Sequence, residues 1–245
     1  MKRMGVILLS GGLDSATVAT MAASEGYELI AVTLHYGQRH SQEIDAAEKV
    51  AAELGIRQRV VDVSFFKELA WYSALTNPEE FPVPDDRSLD EMAANIPITY
   101  VPLRNTFFMT MAAAYLESAA LSWIENESGS PEDLEAAIFI AANAIDYSGY
   151  PDCRPEFYDA LGETLLRGSK LGSQYGISFS IKTPIIDKSK AEIAALSAEI
   201  GAPIRYTWSC YEGGTSPCGR CDSCQLRIAG FAEAGLLDPA VSEPG

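Results

Sequence analysis

The sequence predicts an α/β protein built on a doubly wound, Rossmann-like parallel sheet, with a small cysteine-bearing segment at its C-terminal end. Three observations predict it. Apolar, strand-like runs alternate with helical stretches between residues 5 and 63, as they do in parallel sheets covered by helices. The first of these runs breaks into Ser10-Gly11-Gly12 and passes straight into a helix. Four of the five cysteines fall between positions 210 and 224. With 245 residues, 47% of them hydrophobic, the chain can bury a sizeable core. We divide it into an α/β body (1–205), carrying a lid-like loop at 76–103, and a metal-binding segment (206–245).

Gly5 to Leu9 reads as a buried strand and Ala16 to Ser24 as a helix closed by Gly26. Glu28 to Tyr36 is mostly apolar, as a strand covered on both faces should be. Ser41 suits the N-cap of a helix whose apolar face holds Ile44, Ala47, Val50 and Ala51, and Gly55 ends it. Arg59 to Val63 reads as the third strand. Residues 66–103 include an aperiodic acidic stretch with Pro78, Pro82 and Pro84, and read as a partly ordered lid or a dimer contact. Arg104 to about Glu127 should be a long helix rich in Ala and Met, and a polar connection covers 125–135. Ala136 to Ala142 follows as a strand, Pro155 to Lys170 as a helix and Ser178 to Lys182 as a fifth strand. Ser189 opens a helix running through Ile200, and Glu192, three positions on, completes a capping box. There is no internal repeat and no low-complexity segment.

A strand entering a glycine turn and then a helix is an anion site. The first helical N–H groups lack internal partners, and the helix dipole favours negative charge there. Gly11 and Gly12 let phosphate approach the main chain, and Ser10 and Ser15 can donate hydroxyl hydrogen bonds. Neither G-x-x-x-x-G-K-[ST] nor a G-x-G-x-x-G after a strand occurs. The net charge is −16, from 18 basic and 34 acidic residues, and no basic run is present, which argues against direct tRNA binding and for a small-molecule substrate. No apolar run approaches the ~18 residues of a membrane span. The opening Met-Lys-Arg-Met-Gly-Val-Ile-Leu-Leu is too short for a signal peptide and enters the glycine turn without a cleavage site, so the chain is expected in the cytoplasm.

Cys210, Cys218, Cys221 and Cys224 have the spacing C-x7-C-x2-C-x2-C. Four thiolates match a tetrahedral structural Zn²⁺ site, and an iron–sulfur cluster would use the same ligands. We read the site as zinc, closed and structural, with Arg220 and Arg227 placed to offset its charge. Cys153 stands apart and reads as a buried small residue.

The stretch Leu9-Ser10-Gly11-Gly12-Leu13-Asp14-Ser15-Ala16 resembles the S-G-G-x-D-S signature of the PP-loop pyrophosphatases. The likeness extends through His35-Tyr36-Gly37-Gln38-Arg39-His40, Val101-Pro102-Leu103-Arg104-Asn105-Thr106, the run from Asp146 to Phe157 and the cysteine block. Together these resemble the 7-cyano-7-deazaguanine synthase family of queuosine precursor synthesis, over about residues 4–237. Against its pattern, His35 stands where an acidic or amide residue is common and Leu103 where Gly is frequent, and 121–134 is longer than usual.

The resemblance implies an ATP-dependent carbon–nitrogen ligase that turns 7-carboxy-7-deazaguanine and ammonia into the nitrile. An adenylated carboxylate gives the amide, and a second activation removes the amide oxygen. A relative could instead stop at the amide or join the carboxylate to another amine, even that of a protein. Mg²⁺ would accompany ATP, and a homodimer is implied. Residues 9–16 would hold the nucleotide, with Asp14 orienting Mg²⁺ or capping the helix. Arg104 and Lys190 would stabilise charge on the leaving pyrophosphate, although Lys190, in a first helical turn, also suits solvent. Arg39, His40, Asp146, Tyr147, Asp152 and Arg154 would contact the substrate, Asp152 reading the guanine-like edge and Arg154 the carboxylate. Tyr147 and Tyr150 would stack on the base.

Overall fold

A computed structural model describes residues 1–37, 42–87, 95–144 and 150–242. Among these, five strands form one parallel sheet: β1 (Lys2–Leu8), β2 (Glu28–His35), β3 (Arg57–Asp62), β4 (Leu134–Phe139) and β5 (Phe179–Lys182). Their order is β3-β2-β1-β4-β5. The chain therefore reverses direction of travel across the sheet at β1, and a crevice opens between the carboxyl ends of β1 and β4, where ligands bind in such sheets.

The helices are α1 (Leu13–Ser24), α2 (Gln42–Glu53), the single turn α3 (Phe66–Leu69), α4 (Arg104–Asn126), α5 (Pro155–Gly168), α6 (Lys170–Tyr175), α7 (Lys190–Glu199), α8 (Asp222–Glu233) and the short α9 (Pro239–Ser242). Alternation along β1 divides them between two faces. Val6 and Leu8 point into a core with Met109, Ala112 and Leu116 of α4 and Tyr158 and Leu161 of α5. Ile7 and Leu9 point into the opposite core with Val18 of α1, Val50 of α2, Ile193 of α7 and Phe231 of α8. A buried pair of hydroxyls, Thr17 and Ser197, hydrogen-bonded at 2.5 Å, joins α1 to α7.

Several expectations are refined. β3 begins earlier than the sequence suggests, because its register is set by β2 (Ile30 opposite Arg57), and as an edge strand it leaves Val60 exposed. The helix expected over 155–170 breaks at Ser169, whose side chain caps α6. The expectation that no segment reaches span length meets one marginal case. By length and composition α4 would pass, but it lies on the sheet with Met109, Ala112, Leu116 and Ala120 buried. Leu103, just before α4, has φ 55° and ψ 20°, a left-handed conformation in which glycine is at ease, which accounts for the usual residue there. His35 pairs with Asp62 across the β2–β3 edge at 3.7 Å, away from the crevice. Ser41, expected as a cap, lies outside the described residues.

The segment expected as a lid is docked on the cysteine block. Asp85 bridges to Cys221, the Asp86 N–H donates to the Arg220 carbonyl at 3.1 Å, Arg87 is ion-paired with Asp222, and Val83 packs on the cysteines. Residues 88–94 lie outside the described residues.

Candidate active site

The turn after β1 is tied down on both sides. The Leu9 N–H donates to the Val32 carbonyl at 3.0 Å, and the Thr33 hydroxyl donates to the Leu9 carbonyl at 2.8 Å. Gly11 has φ 86°, and the first turns of α2 lie against it. A Cβ there would fall 3.0 Å from Ala46 Cβ and 2.7 Å from Ala47 N, and closer still to the Glu43 carbonyl oxygen. Gly12 is the N-cap of α1, extended, with no side-chain cap, so the first helical N–H groups stay open to an anion. The Ser15 hydroxyl donates to the Gly12 carbonyl at 3.0 Å and the Ser10 hydroxyl to Ser15 Oγ at 3.1 Å, holding both hydroxyls in the loop.

This loop opens on a cavity of about 270 Å³ at the β1–β4 crevice. Ser10, Gly12, Leu13, Asp14 and Ser15 line it, together with Arg104 and Lys190, so the structure brings these predicted residues together. Leu9, Gly11 and Ala16 are buried behind them. Lys190 enters from the first turn of α7, whose capping box of Ser189 and Glu192 is present as expected. Its Nζ lies 2.8 and 2.7 Å from the two Asp14 carboxylate oxygens. Asp14 thus pairs with Lys190 rather than capping α1. Gly230 of α8 makes room for this lysine, since a Cβ there would meet Lys190 Cγ at 2.5 Å.

Arg104 starts α4, with its guanidinium 5.8 Å from the Tyr36 ring centre and Nη1 donating to the Tyr36 hydroxyl at 3.5 Å. Desolvation in the cavity wall works against its charge, but Tyr36, Tyr150, Asp152 and Tyr211 outweigh that and hold it above the ordinary arginine value. Arg227 also lines the cavity. It is paired with Asp238 at 2.6 Å and donates to Ser209 Oγ at 3.0 Å. Arg220, the other cation assigned to the cysteines, lies 3.9 Å from Asp85 at the surface.

Asp152 is buried but does not line the cavity. Its Oδ2 accepts the Asn105 N–H at 3.3 Å, and its carbonyl accepts from Asn105 Nδ2 at 3.1 Å and the Tyr158 hydroxyl at 3.0 Å. Among the described residues its Oδ1 has no partner. Burial raises its pKa, opposed by Arg104 and the Asn105 N–H. Arg154 is exposed at the N-cap of α5. Arg39, His40, Asp146 and Tyr147 lie outside the described residues. Tyr150 does line the cavity, its hydroxyl 3.0 Å from Thr99 Oγ1. Cys153 lines it too, and burial followed by the Asp152 charge pushes its thiol up to about 11, so it is a neutral small residue. Sequence reasoning passed over Glu43, Asn143, Trp208 and Tyr211 and gave no role to Asn105 of the 101–106 motif, all in the cavity wall. For Glu43 a signal existed, a carboxylate in the first turn of a helix that starts just beyond a strand's carboxyl end.

The sulfurs of Cys210, Cys218, Cys221 and Cys224 lie within 4.8 Å of one another, close enough to hold one metal ion. The Cys218 N–H donates to Cys210 Sγ and the Cys221 N–H to Cys218 Sγ, each at 3.3 Å, which orients the sulfurs. The cluster adjoins the phosphate loop. The Trp208 N–H donates to the Gly11 carbonyl at 2.9 Å, its indole Nε1 to the Cys210 carbonyl at 2.9 Å, and Cys210 lines the cavity.

An uncapped helix behind a glycine turn, at the switch point of a parallel sheet and facing three cationic side chains, defines an α/β protein with an anion site suited to nucleotide phosphates. The family described as "Queuosine biosynthesis protein QueC" matches residues 4–235. A 7-cyano-7-deazaguanine synthase of Thermoplasma acidophilum is 44% identical over 97% of this chain and 91% of its own. One of Trichodesmium erythraeum is 45% identical over 96% and 98%. The chain belongs to the QueC family of 7-cyano-7-deazaguanine synthases. Among solved structures, NMN synthetase from Francisella tularensis aligns over 96% of this chain and 78% of its own, at 15% identity and a TM-score of 0.45.

Proposed function

We propose that the chain converts 7-carboxy-7-deazaguanine and ammonia to 7-cyano-7-deazaguanine using ATP, through an adenylated carboxylate, the amide and an adenylated amide. The observation that carries the reading is the phosphate loop facing Lys190 and Arg104 in one cavity, in a chain of this family. A carboxylate is a poor electrophile with a poor leaving group. Moving AMP onto it supplies a good one, and the oxygen leaves with AMP when ammonia attacks. The loop N–H groups and the Ser10 and Ser15 hydroxyls bind phosphate. Lys190 and Arg104 offset the charge that grows on the departing pyrophosphate. Tyr150, Trp208 and Tyr211 supply aromatic walls for a planar base. Arg39, His40, Asp146 and Tyr147 are proposed substrate contacts on their motif positions. The proposed contact between Arg154 and the carboxylate rests on the resemblance alone, whereas Asp152 acts through Asn105 and Arg104. Mg²⁺ would arrive with ATP. The test is one incubation with the carboxylated base, ammonium as the only amine, and ATP. Nitrile, AMP and pyrophosphate are expected. Amide as the sole product, or ADP with phosphate, would overturn the reading.

We read the cluster's metal as zinc, because four closed sulfur donors suit a structural tetrahedral ion. Chelation from the purified protein should release zinc and lower the melting temperature by about 10 °C, equivalent to roughly 3–5 kcal/mol at this chain length. Iron in the released fraction would refute the assignment.

We further propose a cytoplasmic homodimer. Phe65, Leu69, Trp71 and Tyr72 expose between 51% and 74% of their surface on and beside one turn, an apolar group suited to a second copy. Sedimentation should give twice 26.4 kDa, and Leu69→Glu combined with Trp71→Glu should give the monomer mass.

A further inference from the structure

The proposed reaction has a proton balance that the residues discussed so far do not meet. Ammonia attacking the adenylated carboxylate must lose one proton as AMP leaves. The amide nitrogen must then lose both of its hydrogens to become a nitrile. Once AMP is on the amide oxygen, one N–H proton leaves to give the imidate. The second leaves as the nitrogen's electron pair forms the third C–N bond and the C–O bond breaks toward AMP. A base beside the reacting carbon must accept each proton and return it to solvent.

Among the described residues two carboxylates line the cavity, Asp14 and Glu43. Asp14 is committed to Lys190 through both oxygens. Glu43 sits in the first turn of α2, and its carbonyl lies against Gly11, so the side chain is carried on backbone that abuts the phosphate loop. Of the other titratable wall groups, Cys210 belongs to the cysteine cluster and burial pushes the Tyr36 hydroxyl up. Cys153 is a neutral thiol, and Arg104 and Arg227 are cations.

We propose that Glu43 is the general base of both nitrogen-transfer half-reactions, taking the proton from ammonia as the amide forms and both protons from the amide nitrogen as the nitrile forms. This rests on the reading above. Arg104 and Tyr36 interact with it electrostatically, and the other charged and titratable groups of the same cavity wall include Asp14 paired with Lys190, Tyr150, Tyr211, Cys153 and Arg227. Its environment suits the task. Burial pushes its carboxyl up to about 7, and Arg104 holds it from going further. A base is most effective when its pKa lies near the working pH.

The test starts from the amide with ATP, which removes the ionisation of ammonia from the measurement. A base must be deprotonated to act, so nitrile formation by the unaltered protein should rise with pH through about 7 and then level. Glu43→Gln should lower kcat for the nitrile about a hundredfold or more and abolish that limb. Its KM for the amide and its carboxylate-dependent pyrophosphate exchange should stay within about threefold. Glu43→Asp should retain the limb at an intermediate rate, and serves if the Gln variant does not fold. A flat profile between pH 6 and 8 in the unaltered protein would overturn the assignment, as would unchanged nitrile formation in Glu43→Gln. Loss of pyrophosphate exchange along with nitrile formation would also overturn it, by making Glu43 a binding residue. Failure of the unaltered protein to make nitrile from amide at any pH would instead refute the function itself.

Discussion

Lys190→Ala is expected to lower nitrile formation by about a thousandfold while the chain stays folded, measured by steady-state kinetics and a thermal melt. In the structure this ammonium is paired with the Asp14 carboxylate and both line the cavity, with the lysine side chain 11% exposed and that of Asp14 20% exposed. Pyrophosphate leaves with more charge than it carries within ATP, and a cation in a partly dry wall stabilises that increase. Removing it leaves Asp14 as an unpaired negative charge facing phosphate, so the loss has two parts. One is the stabilisation withdrawn and the other a repulsion added. The fold should tolerate the change. Asp14 sits in the first turn of α1, whose dipole favours a carboxylate. The capping box at Ser189 keeps α7 in place without the lysine. Because Asp14 keeps 20% of its side chain exposed, we expect the destabilisation to stay below the ~3–5 kcal/mol of breaking a fully buried pair. Asp14→Asn tests the same pair from the other side, and should also abolish turnover without unfolding the chain. A Lys190→Ala enzyme within tenfold of the unaltered rate would remove the lysine from the chemistry.

What made the loop legible was its locality. A strand, two glycines and a helix within one short stretch fix both the backbone path and the open N–H groups, and β1, α1 and the Ser189 capping box fall within a few residues of expectation. Tertiary placement was less legible. Lys190 could have faced solvent, and what turns it inward is Gly230, far along the chain on a helix the sequence did not announce. That helix, α8, buries Arg227 and Gly230 beside Leu226 and Phe231, so no clean apolar stripe marks it. Asp152 shows the limit most clearly. A polar motif identifies the neighbourhood of a site but not which side chain faces the cavity and which holds up its wall. Here Asp152 orders Asn105 behind the surface while Glu43, from an unremarked helical turn, faces in.

Gly11→Ala should be severely damaging for a single added methyl, because three separate parts of the fold meet at that residue. Its φ of 86° alone costs alanine about 1–2 kcal/mol. The added carbon would also sit 2.7 Å from Ala47 N and closer to the Glu43 carbonyl. Both are backbone atoms of α2, which cannot swing aside as a long side chain can. Moving α2 would shift Glu43, and moving the loop would strain the bond from the Trp208 N–H to the Gly11 carbonyl at 2.9 Å, which ties on the cysteine segment. We expect a destabilisation of about 3 kcal/mol or more, a melting temperature lower by roughly 6–12 °C, and loss of nucleotide binding. Gly26→Ala is the control. Gly26 has φ 77°, but the nearest atom to its missing Cβ is Arg3 Nη1 at 3.9 Å, so only the conformational part should be felt. Equal melting temperatures for the two variants would mean that α2 yields at Gly11, and the close seat of Glu43 against the phosphate loop would have to be given up.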